Sequence, residues 1–226
     1  MYRLKVLIAC EESQAVCKAF RELGHEAYSC DLQECSGGHP EWHIQGDVLP
    51  LLEEKWDLII AHPPCTYLSN AATRAFSLKA TPPEKVVARW ENRAKAAVFF
   101  MYFILSNCKH IAVENPVGFM TSAYRKPDQY VEPYMFCEST DSEEYVTKKT
   151  GLWLKNLPLL KPVNNFSKPV LEKYWSNYKQ GYKTKDWCTY SRKGSLARSK
   201  TFPGIAKAMA EQWSKYILQT DYGETP

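Results

Sequence analysis

LKVLIACEESQAVCKAFRELGHEAYSCD, residues 4–31, contains every part of a β-loop-α-β unit. Leu4 to Ala9 has the apolar run of a buried strand. Ser13 to Leu23 sets Ala15, Val16, Ala19, Phe20 and Leu23 at helical spacing, and Gly24 ends that helix. Glu26 to Cys30 is a second strand closing on Asp31. Such a unit binds the adenosine part of a cofactor: the helix N-terminus offers free amides, and a carboxylate after the second strand takes the ribose hydroxyls. The expected glycine-rich turn is replaced by Cys10-Glu11-Glu12-Ser13-Gln14. Two glutamates repel a pyrophosphate, which argues against a dinucleotide or ATP and for a cofactor carrying an amine or sulfonium cation. That points to S-adenosylmethionine. Asp47, in Gly46-Asp47-Val48, is a second carboxylate placed to accept the adenine amino group. Taken singly, Asp31 and Asp47 also read as ordinary strand-end turn residues.

Working outward, Trp56-Asp57-Leu58-Ile59-Ile60 is a further short apolar strand, followed by Ala61-His62-Pro63-Pro64-Cys65-Thr66-Tyr67. Each proline fixes φ and lacks an amide hydrogen, so the segment is held open as a loop. In an α/β sheet the loop beyond the carboxyl end of a strand is where ligands bind. Cys65 displayed there is a candidate nucleophile; the competing reading is a buried cysteine beside two turn prolines.

Thr81-Pro82-Pro83-Glu84 starts a helix that runs to about Asn107, with Val86, Val87, Trp90, Ala94, Ala97, Val98, Met101 and Leu105 on its inner face. His110 to Pro116 is a strand ending in Glu114-Asn115-Pro116, and parallel-sheet logic sets that end beside the Cys65 loop. Segments 132–136 and 150–154 read as a late β-hairpin with Lys148 and Lys149 at its edge. The last helix, Pro203 to Leu218, has Ile205, Met209, Trp213 and Ile217 at steps of four.

A chain of 226 residues with 45% apolar content suits one domain with a sizeable core. No apolar run approaches the roughly 18–20 residues of a membrane span, and the N-terminus resembles no signal peptide, so a cytoplasmic protein is expected. Eight scattered cysteines in a reducing compartment argue against structural disulfides. Cys30, Cys35, His39 and His43 could ligate zinc, but their spacing matches no usual finger, and no metal is expected. The net charge of +4 is too small to announce a nucleic-acid binder. Its distribution says more, because eight Lys or Arg residues between Leu171 and Lys200 are interleaved with Tyr174, Trp175, Tyr178, Tyr182, Trp187 and Tyr190. Cations for phosphates and rings for bases suit a nucleic-acid surface; a solvated tyrosine-rich loop is the alternative.

The order of these motifs, completed by Arg198-Ser199-Lys200-Thr201-Phe202-Pro203-Gly204, resembles the DNA cytosine-5 methyltransferase superfamily, and within it the short phage and prophage cytosine-methyltransferase-like proteins. The resemblance covers Val6 to about Trp213 and is sharpest at Pro63-Pro64-Cys65 and Glu114-Asn115. It implies a Rossmann-like, S-adenosylmethionine-dependent methyltransferase fold: α/β, with a mixed, mostly parallel sheet and helices on both faces. It implies a single domain over 1–226, with the basic and aromatic stretch at about 162–197 standing in for a full target-recognition domain. Cys65 would add to carbon 6 of a flipped-out cytosine, and Glu114 would hold or protonate ring nitrogen 3. Cys10, Glu11, Ser13, Asp31, Asp47 and Pro63 would contact S-adenosylmethionine. Tyr67, Lys148, Lys149, Lys183, Lys185, Arg192 and Arg198 would contact DNA, in the host cytoplasm if the protein is phage-encoded. Modification of another base or of a free nucleotide, and non-catalytic nucleic-acid binding on the same fold, are the alternatives.

Overall fold

The computed structural model of the protein describes residues 2–169 and 199–223. The chain begins β1 (Lys5–Ala9), α1 (Ala15–Glu22), β2 (Glu26–Asp31), β3 (His43–Gln45) and β4 (Leu58–Ala61). It continues with α2 (Pro83–Leu105), β5 (Ile111–Pro116), α3 (Phe119–Ala123), β6 (Gln129–Val131), β7 (Thr150–Lys155) and α4 (Pro203–Tyr222). The strands form one seven-stranded sheet in the order β3-β2-β1-β4-β5-β7-β6. β1 to β5 pair in parallel, and β7 lies antiparallel between β5 and β6. This is the α/β, mixed and mostly parallel sheet expected from the sequence, and it is compatible with a Rossmann-like fold.

Alternation along each strand divides the core between two faces. Val6 and Ile8 of β1 and Leu58 and Ile60 of β4 pack with Phe20 of α1 and with Met209, Trp213 and Ile217 of α4. Leu7, Ala9, Ile59 and Ala61 turn the other way, against Phe100 and Phe103 of α2. Burying each of these large side chains contributes about 1.5–3 kcal/mol. Both faces of the sheet are thus covered, so its strands read as continuous apolar runs. No helix among the described residues is long and apolar enough to cross a membrane.

The chain leaves β1 toward β2 and β3, then returns across β1 to place β4 on its other side. The strand order therefore reverses at β1 and β4, whose carboxyl ends flank the crevice where α/β sheets bind ligands. Segments 10–14 and 62–69 sit at that point.

Several expectations are corrected. The sequence reading placed no strand between β2 and Trp56, yet His43–Gln45 forms β3, pairing Ser29 with His43 and Asp31 with Gln45; three residues with a single apolar side chain, Ile44, are too few to show a strand period. The late hairpin pairs Gln129–Val131, and not 132–136, with 150–152. Pro133 lacks an amide for the ladder and instead starts the 3-10 turn Pro133–Met135. The inner face of α2 is carried by Val86, Arg93, Phe100 and Phe103, while Val87, Trp90, Ala94, Val98 and Leu105 are exposed. The helix is apolar around much of its circumference, so periodicity alone does not fix its rotation. Arg93 does: its Nε donates to the Tyr67 carbonyl at 2.9 Å, and its guanidinium lies 3.4 Å from the Phe76 ring centre.

Candidate functional site

The parallel register sets Ala61 beside Val113 and so brings His62 and Glu114 abreast, one residue beyond. His62 Nδ1 lies 3.3 Å from Glu114 Oε2. Three residues further on, Cys65 is exposed. The buried-cysteine reading of Cys65 is thereby excluded. Burial pushes several other thiols up, Cys17 to about 12 and Cys30 to about 11, with Cys10, Cys108 and Cys137 also raised. Those cysteines are held as inert thiols.

The Cys65 loop is fastened on three sides. Asn115, itself buried, donates its Nδ2 amide to the Pro63 carbonyl at 2.7 Å. That bond gives the neighbour of Glu114 a structural role, because it ties the end of β5 to the Pro63-Pro64 turn. Cys65 caps its own turn, its carbonyl accepting the amides of Leu68 and Ser69 at 3.0 and 2.9 Å. Beyond it, the Phe119 amide donates to Leu68 O at 2.7 Å, and Ser69 bridges Gly118. A Cβ on Gly118 would lie 2.0 Å from Leu68 O, so only glycine permits this approach. Tyr67 is held by the Arg93 bond to its carbonyl and lies under the Arg89 guanidinium, 5.2 Å from its ring centre.

Burial works to raise the Glu114 carboxyl, but it is outweighed. The hydrogen bond and charge of His62, the charge of Lys148 and a hydrogen bond from Thr150 together hold it below the ordinary glutamate value. Lys148, expected on the hairpin edge, thus also reaches the surroundings of Glu114, and its ammonium lies 5.5 Å from the Phe202 ring centre. Lys149 sits 4.1 Å from the Tyr130 ring centre. Glu114, Lys148, Thr150, Ser199, Thr201 and Phe202 are among the residues lining a cavity of about 20 Å³, room for about one water molecule.

At the ends of β1 to β3, Cys10 adopts φ 60 and Gln14 φ 57, so the five-residue turn into α1 is built on two left-handed residues without glycine. Burial, and then the charges of Asp31, Cys30 and Asp47, raise the Cys10 thiol. Asp31 and Asp47 therefore lie within electrostatic reach of Cys10. Each carboxylate also makes a local turn bond: Asp31 Oδ1 accepts from the Gln33 amide at 2.9 Å, and Asp47 Oδ1 from the Leu49 amide at 3.0 Å. Ser13 is partly exposed between them and α1.

Glu11 and Glu12 face inward, contrary to the open, acidic loop read from the sequence. Glu11 is buried, and its carboxylate accepts the Val16 and Cys17 amides at 2.7 and 3.2 Å. The chain's own carboxylate thus occupies the α1 N-terminus, whose amides the sequence reading left free for a ligand. Burial raises the Glu11 carboxyl, partly offset by His62 and those amides. Glu12 accepts a short hydrogen bond from Ser36, whose Oγ also accepts from Lys200 Nζ at 2.9 Å. The 199–205 segment is thereby joined to the β1–α1 loop.

Cys30, Cys35, His39 and His43 form no metal-binding group among the described residues. His39 stacks on Trp42 at 3.8 Å, and His43 bonds Ser29 and the Gln33 carbonyl. Lys183, Lys185, Arg192 and Arg198, with most of the 162–197 stretch, lie outside the described residues.

Sequence reasoning gave His62 no part and Asn115 no function. The available signal was register: a residue directly after β4 must stand next to one directly after Val113. No family model matches the chain, and no curated protein matches it.

Proposed function

We propose that the protein is an S-adenosylmethionine-dependent methyltransferase that modifies carbon 5 of cytosine in DNA. The observation that carries this reading is the exposed Cys65 on a loop braced by Asn115 beside Glu114, at the switch point of a doubly wound sheet. A soft nucleophile and a hydrogen-bonding acid at adjoining strand ends are the two groups that addition to a pyrimidine ring needs.

Cys65 Sγ, as the thiolate, forms a bond to ring carbon 6, and the displaced electron pair makes carbon 5 nucleophilic. Glu114 holds the ring at nitrogen 3 through a proton placed between them, and that proton offsets the negative charge that develops there. S-Adenosylmethionine, when bound, supplies the electrophilic methyl group that carbon 5 accepts. Solvent water then takes the proton from carbon 5, the C–H electron pair restores the double bond to carbon 6, and Cys65 leaves as the thiolate. The carboxylates of Asp31 and Asp47, gathered about Cys10, suit ribose hydroxyls, an amino group and a cation. Cys10, Ser13 and Pro63 contribute backbone and van der Waals surface to the same crevice, and Glu11 acts there through its charge and its hold on α1. Tyr67 lies two residues beyond Cys65, Lys148 lies within electrostatic reach of Glu114, and with Lys149 they provide ring and charge for the nucleic acid.

The test is mass spectrometry of nucleosides from DNA incubated with the protein and S-adenosylmethionine. 5-Methylcytosine is the expected product, and its absence with Cys65→Ser ties it to the thiol. A methyl group on an exocyclic amine, formed equally by Cys65→Ser, would overturn the reading in favour of amino-group methylation.

A further inference from the structure

Two histidines that brace this fold, His43 and His110, are bonded at both ring nitrogens. His43 reaches Ser29 Oγ and the Gln33 carbonyl at 2.8 and 2.9 Å. His110 reaches the Asn156 carbonyl and Asp221 at 2.7 and 2.9 Å. His62 is different. Its side chain is 8% exposed, its Nδ1 faces Glu114, and its buried Nε2 has no hydrogen-bond partner among the described residues. A buried polar atom left unpaired is costly and calls for an explanation beyond packing.

Glu114 raises a second question. Nitrogen 3 of a neutral cytosine is an acceptor, and an ionised carboxylate is an acceptor only, so the two cannot bond unless a proton stands between them. The charges around Glu114 favour its ionised form, as described above. The proton must come from elsewhere, and the nearest titratable group is the His62 ring.

We propose that His62 is the positioning residue for Glu114, and that the two side chains share the one proton with which the site engages ring nitrogen 3. This rests on the methyltransferase reading. When the base enters, the proton leaves His62 Nδ1, whose N–H electron pair stays on the ring. A new O–H bond forms on Glu114, which donates to nitrogen 3. On product release the proton returns to His62. The groups facing the pair are Glu11 from the β1–α1 loop, which lies within electrostatic reach of His62, and Lys148, two residues before β7, with Thr150, its first residue, which act on Glu114. Lys18 of α1 acts on Glu11 in turn.

The experiment uses the full chain with S-adenosylmethionine and cytosine-containing DNA, comparing His62→Gln with wild type from pH 6 to pH 8. Gln keeps a donor to Glu114 but carries no proton to give. The active form then depends on Glu114's own proton, so the rate should fall less than about tenfold at pH 6 and about a hundredfold or more at pH 8. An equal loss at both pH values would overturn the proposal and leave His62 a packing residue. Carbon-13 NMR of the Glu114 carboxyl supplies a readout independent of turnover. Its titration should move to higher pH in His62→Gln, because burial is then opposed by fewer charges; an unchanged titration overturns the pairing. If the variant does not fold, the wild-type signal decides: it should show two steps, its own and a second as the ring loses its proton, and a single step overturns the proposal. Failure of every substrate to accept a methyl group would defeat the methyltransferase reading, while the carboxyl titration would still decide the pair.

Discussion

Asn115 shows how one side chain converts a fold into a site. Its amide on Pro63 O is a buried bond between strand end and loop, and no other described group meets that carbonyl. Asn115→Ala should lower stability by about 1–3 kcal/mol, since it leaves the Pro63 carbonyl unsatisfied. It should lower the rate of methyl transfer more than it weakens cofactor binding, because what loosens is the position of Cys65; urea denaturation and single-turnover kinetics separate the two. Residue types were legible at this scale, and roles were not. Cys65 and Glu114 stand out as candidates by type and by their place at adjoining strand ends. Glu11 has the same type as Glu114 and ends up as a helix cap, because whether a carboxylate meets solvent or the α1 amides depends on the turn at Cys10 and Gln14.

At the scale of elements, the Cys65 loop is stiff because Gly118 and Arg93 hold its far side. Gly118→Ala would force Leu68 O and the Ser69 backbone aside, contacts of 2.0 and 2.8 Å that cannot persist. The expected loss is about 1–3 kcal/mol by overpacking, read from the thermal midpoint. Activity should fall with it even well below the melting temperature, because Leu68 lies in the same turn as Cys65. Elements built on strong patterns were legible in the sequence: β1, α1, β2, β4, β5 and α4 each bury a repeating set of apolar side chains. Those fixed by tertiary contact were not. β3 is defined by its pairing with β2, the partner of β7 by the proline that excludes 133, and the rotation of α2 by one arginine among rings.

Across the whole molecule, α4 is pinned to the end of the sheet opposite the site. Asp221 bonds Lys109 at 2.8 Å and His110 at 2.9 Å, and Tyr222 bonds Asp57 at 2.7 Å. Burial tends to raise Asp221, but the bonds from Lys109, His110 and Thr220 win and lower its pKa from 3.8 to about 2. Its stabilising contribution is therefore complete above the unfolded value and is lost as pH falls through about 2. Asp221→Asn should reduce stability at pH 7 by about 1–3 kcal/mol, and the gap from wild type should close as the pH is lowered from 4 toward 2, measured by urea denaturation at each pH. Cys65, Glu114, the crevice at the ends of β1 and β4 and the segment before α4 come from all parts of the chain, so one assay tests whether they act together. That assay is formation of a covalent complex with DNA containing 5-fluorocytosine in the presence of S-adenosylmethionine. Fluorine at carbon 5 cannot leave as a proton does, so Cys65 should remain bonded to carbon 6, giving a denaturation-resistant complex that Cys65→Ser does not form. No complex on single- or double-stranded DNA, or an equal yield from Cys65→Ser, would contradict the assignment.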